Sequence, residues 1–391
     1  MNQRRDTQRK DTRHNDPLLA CEYFQAGQCR SCTEIRVPQN LQLAAKWERA
    51  KECIPAQEWL APLPSRRDAF RNKVKLAVGG RRGEIRLGVM NPDATVSDLR
   101  YCPLPTPGIQ YATRQLVRFL NEIDIAPYHI RTRQGLMKFV IVTESPDGEL
   151  MIRFVARRRG VQGLLFKRLE RLRELIPAAK VVSLNVQSEP AAIIEGPEEI
   201  LISAQAELPM RLCVADKEMT LYVRPQSFFQ TNTDAAQALY TRAVEWLTPR
   251  VHKAWDLYCG VGGFGLALAL HGIQVTGIEV QEQAVAAAQR AADEYVEGRA
   301  QFLVGDAQTW PLSPDVDAII VNPPRRGIGT DLARWINDSE VEQVLYSSCN
   351  VESCARDIAQ LSNYRVERAQ VVEMFAHTAH FETICLLSRI A

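Results

Sequence analysis

The sequence predicts an α/β protein whose carboxyl-terminal half is a doubly wound parallel sheet, preceded by an α+β domain. Three observations predict it. After about residue 215, short β-branched and apolar runs alternate with helical stretches, the rhythm of a parallel sheet covered by helices. The glycine-rich run Asp256 to Gly265 follows one such strand and opens a helix, which marks the ligand end of the sheet. At 391 residues, two cores and a short tail are expected rather than one core.

In chain order, residues 1–18 mix charges without apolar periodicity and read as a disordered basic tail. The amino-terminal domain is expected over 19–215. Its first part, to about residue 105, reads as loop-rich, with short strands at Lys73–Val78 and Ile85–Val89. Residues 139–143, 151–156 and 181–186 read as strands by composition. Leu164, Leu165, Leu169, Leu172, Leu175 and Ile176 fall on helical spacing between the last two. The second domain is expected over 216–391. Its strands are Ala254–Tyr258, Gln274–Ile278, Gln301–Val304, Ala318–Val321 and Val344–Ser347, with a helix at Gln283–Tyr295.

Composition narrows the function classes. With 46% hydrophobic and 24% charged residues the chain is an ordinary globular one, and no apolar run approaches the ~18 residues of a membrane span. The amino terminus lacks the apolar core of a secretory signal, so a cytoplasmic protein is expected. Net charge is +2, but residues 1–90 carry 18 Lys or Arg against 10 Asp or Glu, leaving −6 for the remainder. A basic amino-terminal part suggests a polyanion partner, though a solvated charged surface gives the same count.

Gly260, Gly262 and Gly265 fit the pattern G-x-G-x-x-G, which both dinucleotide and S-adenosylmethionine sites share. Glu279 closes the next strand, where an acid can bond both ribose hydroxyls. Asp306 ends the third strand and is placed either against an adenine or as a turn acid. Asn322-Pro323-Pro324-Arg325 ends the fourth. Prolines stiffen that loop and the amide can meet a cofactor or a base, which favours a nucleobase methyltransferase over a dehydrogenase.

Taken together, FFQTN (228–232), DLYCGVGGFG (256–265), GIE (277–279), NPPRRGIG (322–329), YSSCN (346–350) and HFET (380–383) resemble the ordered motif series of the RNA uracil-C5 methyltransferases. FRNKVKL (70–76), LRYCPL (99–104) and RPQSFFQ (224–230) extend the likeness toward the amino terminus. The resemblance implies a Rossmann-like methyltransferase domain. It implies Cys349 as the nucleophile, Glu382 as the base that takes the C5 proton, and contacts to S-adenosylmethionine from Gln230, Tyr258, Glu279 and Asn322. Where many members of that family have Asp, this chain has Asn322, which hydrogen-bonds but holds no charge. His377 and His380 are given no catalytic role.

Ten cysteines in a reducing compartment are not expected to pair as disulfides. Cys21-x7-Cys29-x2-Cys32 with Cys102 supplies four thiolates, and spacing alone leaves tetrahedral zinc and an iron–sulfur cluster open. The resemblance implies a [4Fe-4S] centre, making the amino-terminal domain an iron–sulfur-binding and RNA-binding one. Cysteines without a preceding β-barrel, together with NPPRRGIG, resemble the branch of the family that methylates uracil-747 of 23S rRNA. The expected partner is thus 23S rRNA, bound by a monomer with no membrane attachment. Arg66, Arg67, Arg71, Lys73, Lys75 and Arg157 to Arg159 are the expected phosphate contacts. The rival readings are a methyltransferase for transfer RNA or another 23S rRNA uridine, and a non-catalytic RNA-binding protein.

Overall fold

The computed structural model describes residues 17–189, 193–248, 250–311 and 315–390. The expected tail over 1–18 therefore lies, apart from Pro17 and Leu18, outside the described residues. The chain runs α1 (Glu22–Gln25), α2 (Gln39–Cys53), β1 (Glu58–Trp59), β2 (Lys73–Arg81), β3 (Glu84–Met90), β4 (Val96–Asp98), α3 (Pro107–Glu122), β5 (Met137–Glu144) and β6 (Leu150–Ala156). It continues through α4 (Gln162–Leu175), β7 (Ala179–Val186), β8 (Glu198–Leu201), β9 (Leu208–Val214), β10 (Lys217–Val223) and α5 (Thr233–Leu247). The last stretch is β11 (Lys253–Leu257), α6 (Gly263–Leu270), β12 (Gln274–Glu279), α7 (Glu282–Tyr295), β13 (Ala300–Val304) and β14 (Ala318–Val321). It closes with α8 (Thr330–Asp338), β15 (Gln343–Ser348), α9 (Val351–Ile358), β16 (Tyr364–Val372) and β17 (Glu382–Arg389).

The expected parallel sheet forms, with strand order β1-β16-β17-β15-β14-β11-β12-β13. Strands β11 to β15 pair in parallel, while β17 runs antiparallel to both β15 and β16. Connections run outward from β11 through β12 to β13, then return to β14 on its other side. The carboxyl ends of β11 and β14 are therefore the switch point, where the sheet opens a crevice. Helix α6 is apolar around its whole circumference and every residue but Leu270 is buried, as suits a helix enclosed between sheet and neighbours. Ala284, Ala287, Ala288, Ala291 and Ala292 give α7 a small-residue face that lies close under the sheet.

The amino-terminal half holds a mixed seven-stranded sheet, β4-β3-β2-β5-β6-β7-β8, with α3 and α4 packed in its core. Two expectations change here. The stretch expected to be loop-rich contains the 15-residue helix α2, and β1 pairs with β16, so this segment is built onto the carboxyl-terminal sheet. The expected division at 215/216 falls in the turn of the β9–β10 hairpin. Both strands pack in one core cluster with α5, α6 and α7, because their inward residues Leu208, Met210, Leu212, Met219 and Leu221 face those helices.

Candidate functional site

The nucleotide loop begins where β11 ends. Gly262 caps α6 with φ +82°, and a Cβ there would lie 2.9 Å from Phe302 and 3.0 Å from Ala288, so glycine is required on both counts. Asp256, buried on β11, accepts from the Gly265 amide at 2.8 Å, while its Oδ1 has no partner. Burial pushes its carboxyl up to about 7, with Glu279 adding to the rise and the Gly265 bond opposing it. Asp256 lay inside the glycine-rich motif but was not singled out there. Its missed signal is an acid within an apolar strand.

Glu279 ends β12 with both oxygens on main chain: Oε2 accepts from the Gly260 amide at 3.2 Å and Oε1 from the Gln281 amide at 3.1 Å. It thereby ties the glycine loop to the neighbouring strand end. Tyr258, at φ +63°, and half-buried Asn322 follow the paired residues Leu257 and Val321, so the two flank the switch point. Buried Gln230 is held through its main chain, whose carbonyl accepts from Asn72 Nδ2 at 3.0 Å. Asp306 is exposed and accepts from the Gln308 amide at 3.0 Å, the turn role.

Cys349 and Glu382, 33 positions apart, are brought together by strand register. On the antiparallel pair β15–β17, Ser347 faces Ile384 and Ser348 faces Thr383, so the next step sets Cys349 beside Glu382. Asn350 caps α9, its Oδ1 accepting from the Glu352 and Ser353 amides. Its Nδ2 donates to the Arg325 carbonyl at 3.0 Å, which joins the thiol loop to the Asn-Pro-Pro loop. The half-buried thiol opens on a cavity lined by Arg49, Arg325, Glu352, His380 and Phe381. Arg49 comes from α2 and pairs with Glu352 across the rim.

Glu382 is 1% exposed and accepts from Ser347 Oγ at 2.8 Å. Burial pushes its carboxyl up to about 7, against the Ser347 bond that favours the charged form. The Cys349 thiol is raised by burial and then by the Glu382 charge, with Arg325 pulling it down. A thiol that opens on a cavity and a buried carboxylate on the adjoining strand can act as a nucleophile and a separate base.

The four expected ligand cysteines share one region. Cys29, Cys32 and Cys102 line a common cavity, and Cys32 is pushed up to about 12 by burial and by Cys102, Cys29 and Cys21. Among the described residues, no three Cys, His, Asp or Glu side chains stand in a metal-holding arrangement.

Several of the expected phosphate contacts form ion pairs at the surface, where Arg66, Lys75 and Arg159 stay exposed. Arg66 pairs with Asp234, Lys75 with Glu195 and Arg159 with Glu198, while Arg71 and Lys73 are half-buried. Lys73 is lowered to about 8 by burial. Arg67 donates to the Pro17 carbonyl and Arg157 to that of Arg133, leaving Arg158 as an exposed member of the set.

With this geometry in view, the chain can be compared with known proteins. The sequence profile described as tRNA (uracil-5-)-methyltransferase matches residues 182–302 and 312–390. The chain belongs to that family. The 23S rRNA (uracil(747)-C(5))-methyltransferase of Yersinia pestis (strain Pestoides F) is 39% identical over 377 residues, covering 95% of this chain and 99% of the relative. The enzyme of the same description from Escherichia coli (strain SMS-3-5 / SECEC) is 39% identical over 376 residues, with 94% and 99% covered. Among solved structures, the Pyrococcus abyssi tRNA (uracil-54, C5)-methyltransferase in complex with S-adenosyl-L-homocysteine superposes with a TM-score of 0.77 at 26% identity. That match covers 91% of this chain and 85% of the other. The fold of that structure, with its Rossmann-like methyltransferase domain, is thus shared over nine-tenths of the chain. Among the described residues, no helix is long and apolar enough to cross a membrane.

Proposed function

We propose that this protein transfers a methyl group from S-adenosylmethionine to C5 of uracil-747 in 23S rRNA, with Cys349 as nucleophile and Glu382 as base. The observation that carries the reading is the β15–β17 register, which sets a thiol beside a buried carboxylate at the strand ends of a methyltransferase fold. Identity of 39% across nearly the full length of both chains supports the ribosomal-RNA substrate.

The steps follow from the groups present. The Cys349 thiol gives its proton to water, and the thiolate bonds to C6 of the uracil, whose C5–C6 electron pair moves into an enolate. C5 then attacks the methyl carbon of the sulfonium donor, releasing neutral S-adenosylhomocysteine. The Glu382 carboxylate takes the C5 proton, the C5–C6 double bond reforms, and Cys349 leaves as thiolate. It regains a proton as Glu382 is deprotonated. Gln230, Tyr258, Glu279 and Asn322 hold the methyl donor, Glu279 from the ribose position at the end of β12. A base inside folded RNA reaches Cys349 only when it leaves its stack, so the target is flipped.

Cys21, Cys29, Cys32 and Cys102 hold a [4Fe-4S] centre in this reading. What supports the reading is the donor chemistry: Cys29, Cys32 and Cys102 line one cavity with Arg71, a cation that would offset thiolate charge, although the described side chains do not stand in a metal-holding arrangement. The centre's contribution is structural, because methyl transfer moves no electron. Iron and acid-labile sulfide in protein purified without oxygen support it, whereas stoichiometric zinc without sulfide overturns it. The seven-stranded unit with the thiol segment is the RNA-binding part.

The test supplies unmodified 23S rRNA and transfer RNA side by side with methyl-labelled donor. Labelled 5-methyluridine from 23S rRNA alone, lost when uridine 747 is replaced by cytidine, is expected. Label in transfer RNA alone would overturn the substrate.

A further inference from the structure

A buried polar joint connects α2 to the loop that leads into Glu382. Lys46 Nζ lies 2.8 Å from Glu373 Oε1, with the two side chains 2% and 0% exposed. Glu373 Oε2 also accepts from Gln39 Nε2 at 2.7 Å and from the Ser65 amide at 3.2 Å. Gln42 Oε1 accepts from the His377 amide at 2.9 Å, and its Nε2 donates to the Glu34 and Val37 carbonyls at 3.0 and 2.7 Å. His377 Nε2 donates to the Arg67 carbonyl at 2.6 Å, and the His377 carbonyl accepts from the Glu34 amide at 3.0 Å.

This much polar burial needs a reason, because a helix face carrying Gln42 and Lys46 gains less from packing than an apolar one. The loop supplies one. His377 sits at φ +64°, a conformation that a non-glycine residue keeps only when its surroundings impose it. Both its ring and its main chain are held from outside, by residues 34, 42 and 67. Four residues later Phe381 lines the cavity beside Cys349, and Glu382 follows. Apart from Ser347, no side chain bonds directly to the Glu382 carboxylate among the hydrogen bonds described. Its place thus rests on where the loop delivers the start of β17.

We propose that Gln42 and His377, backed by the Lys46–Glu373 pair, are positioning residues for the base. The amino-terminal segment acts as an anchor that sets the Glu382 carboxylate against C5 of the target. The inference rests on the roles proposed above for Cys349 and Glu382. Loosening the anchor slows proton removal from C5, which comes after thiol addition and methyl transfer. The methylated covalent adduct between Cys349 and RNA then accumulates.

The experiment compares wild type, Glu382→Gln and Gln42→Leu, in full-length protein with 23S rRNA and S-adenosylmethionine. Turnover and the denaturant-resistant RNA–protein adduct are both measured, with folding followed by thermal midpoint. Displacement by about 1 Å can lower rate ~10²-fold. Gln42→Leu should accordingly lower kcat ten- to hundredfold, leave KM for RNA and for the methyl donor within about twofold, and raise the adduct fraction. If Gln42→Leu does not fold, His377→Asn reads the same anchor, since Asn tolerates left-handed backbone. Adduct in Glu382→Gln but none in a folded anchor variant would overturn the positioning role. An equal fall in kcat without adduct would overturn it as well. No adduct in Glu382→Gln would instead refute the underlying reading of the base.

Discussion

Replacing Glu382 by Gln removes one titration and nothing else of size, so its effect should depend on pH in a calculable way. Burial raises the carboxyl from 4.5 to about 7. The folded state therefore binds a proton that the unfolded state has lost, and this contribution is full below pH 4.5 and gone above 7. Stability credited to Glu382 falls as pH rises through that window. A shift of about 2.5 units corresponds to roughly 3.4 kcal/mol in all, of which about 2.5 kcal/mol lies between pH 5 and pH 8. The assay is urea unfolding of wild type and Glu382→Gln at half-unit steps across that range. The difference, wild type minus variant, should decline by about 2.5 kcal/mol and level off near pH 8. A difference constant to a few tenths of a kcal/mol would refute the reasoning, because Glu382 would then titrate as an exposed carboxyl does.

Other outcomes follow from the same geometry. Cys349→Ala should abolish turnover while S-adenosylmethionine binding, read by calorimetry, stays near wild type; retained methylation would remove the thiol from the mechanism. Ser347→Ala deletes the hydrogen bond that favours ionised Glu382, so the acid limb of the kcat–pH profile should move upward from about 7, and a downward move would contradict it. Lys46→Met leaves Glu373 buried without its cation and should cost about 3–5 kcal/mol in chemical unfolding. Asp256→Asn keeps an acceptor for the Gly265 amide and removes a buried carboxyl raised to about 7, so the variant's stability should fall less than wild type's between pH 5 and pH 7, checked by urea unfolding at the two pH values; an equal fall would contradict it.

Much of the fold could be read from local pattern. The helix expected at Gln283–Tyr295 is observed at Glu282–Tyr295, and the strand expected at Ala318–Val321 has those bounds. Both carry strong one-sided or continuous apolar runs. Helix α2 escaped because its buried face includes Gln42 and Lys46, which turn inward for partners far along the chain. The hairpin β9–β10 does alternate, but its turn at Ala215 and Asp216 uses left-handed backbone without glycine and resembles a domain seam. The site was legible as residue types and not as an arrangement. Cys349 and Glu382 meet through the antiparallel return of β17 onto β15, a long-range pairing that no local periodicity encodes. The surface ion pairs of Arg66, Lys75 and Arg159 likewise join acids far away in sequence, which no local pattern encodes.

The most direct test of the account incubates Glu382→Gln protein with unmodified 23S rRNA and methyl-labelled S-adenosylmethionine, then digests the denatured product for mass spectrometry. The account predicts a peptide containing Cys349 bonded to a nucleotide that already carries the labelled methyl group. Free 5-methyluridine released at the wild-type rate, with no nucleotide on Cys349, would contradict it.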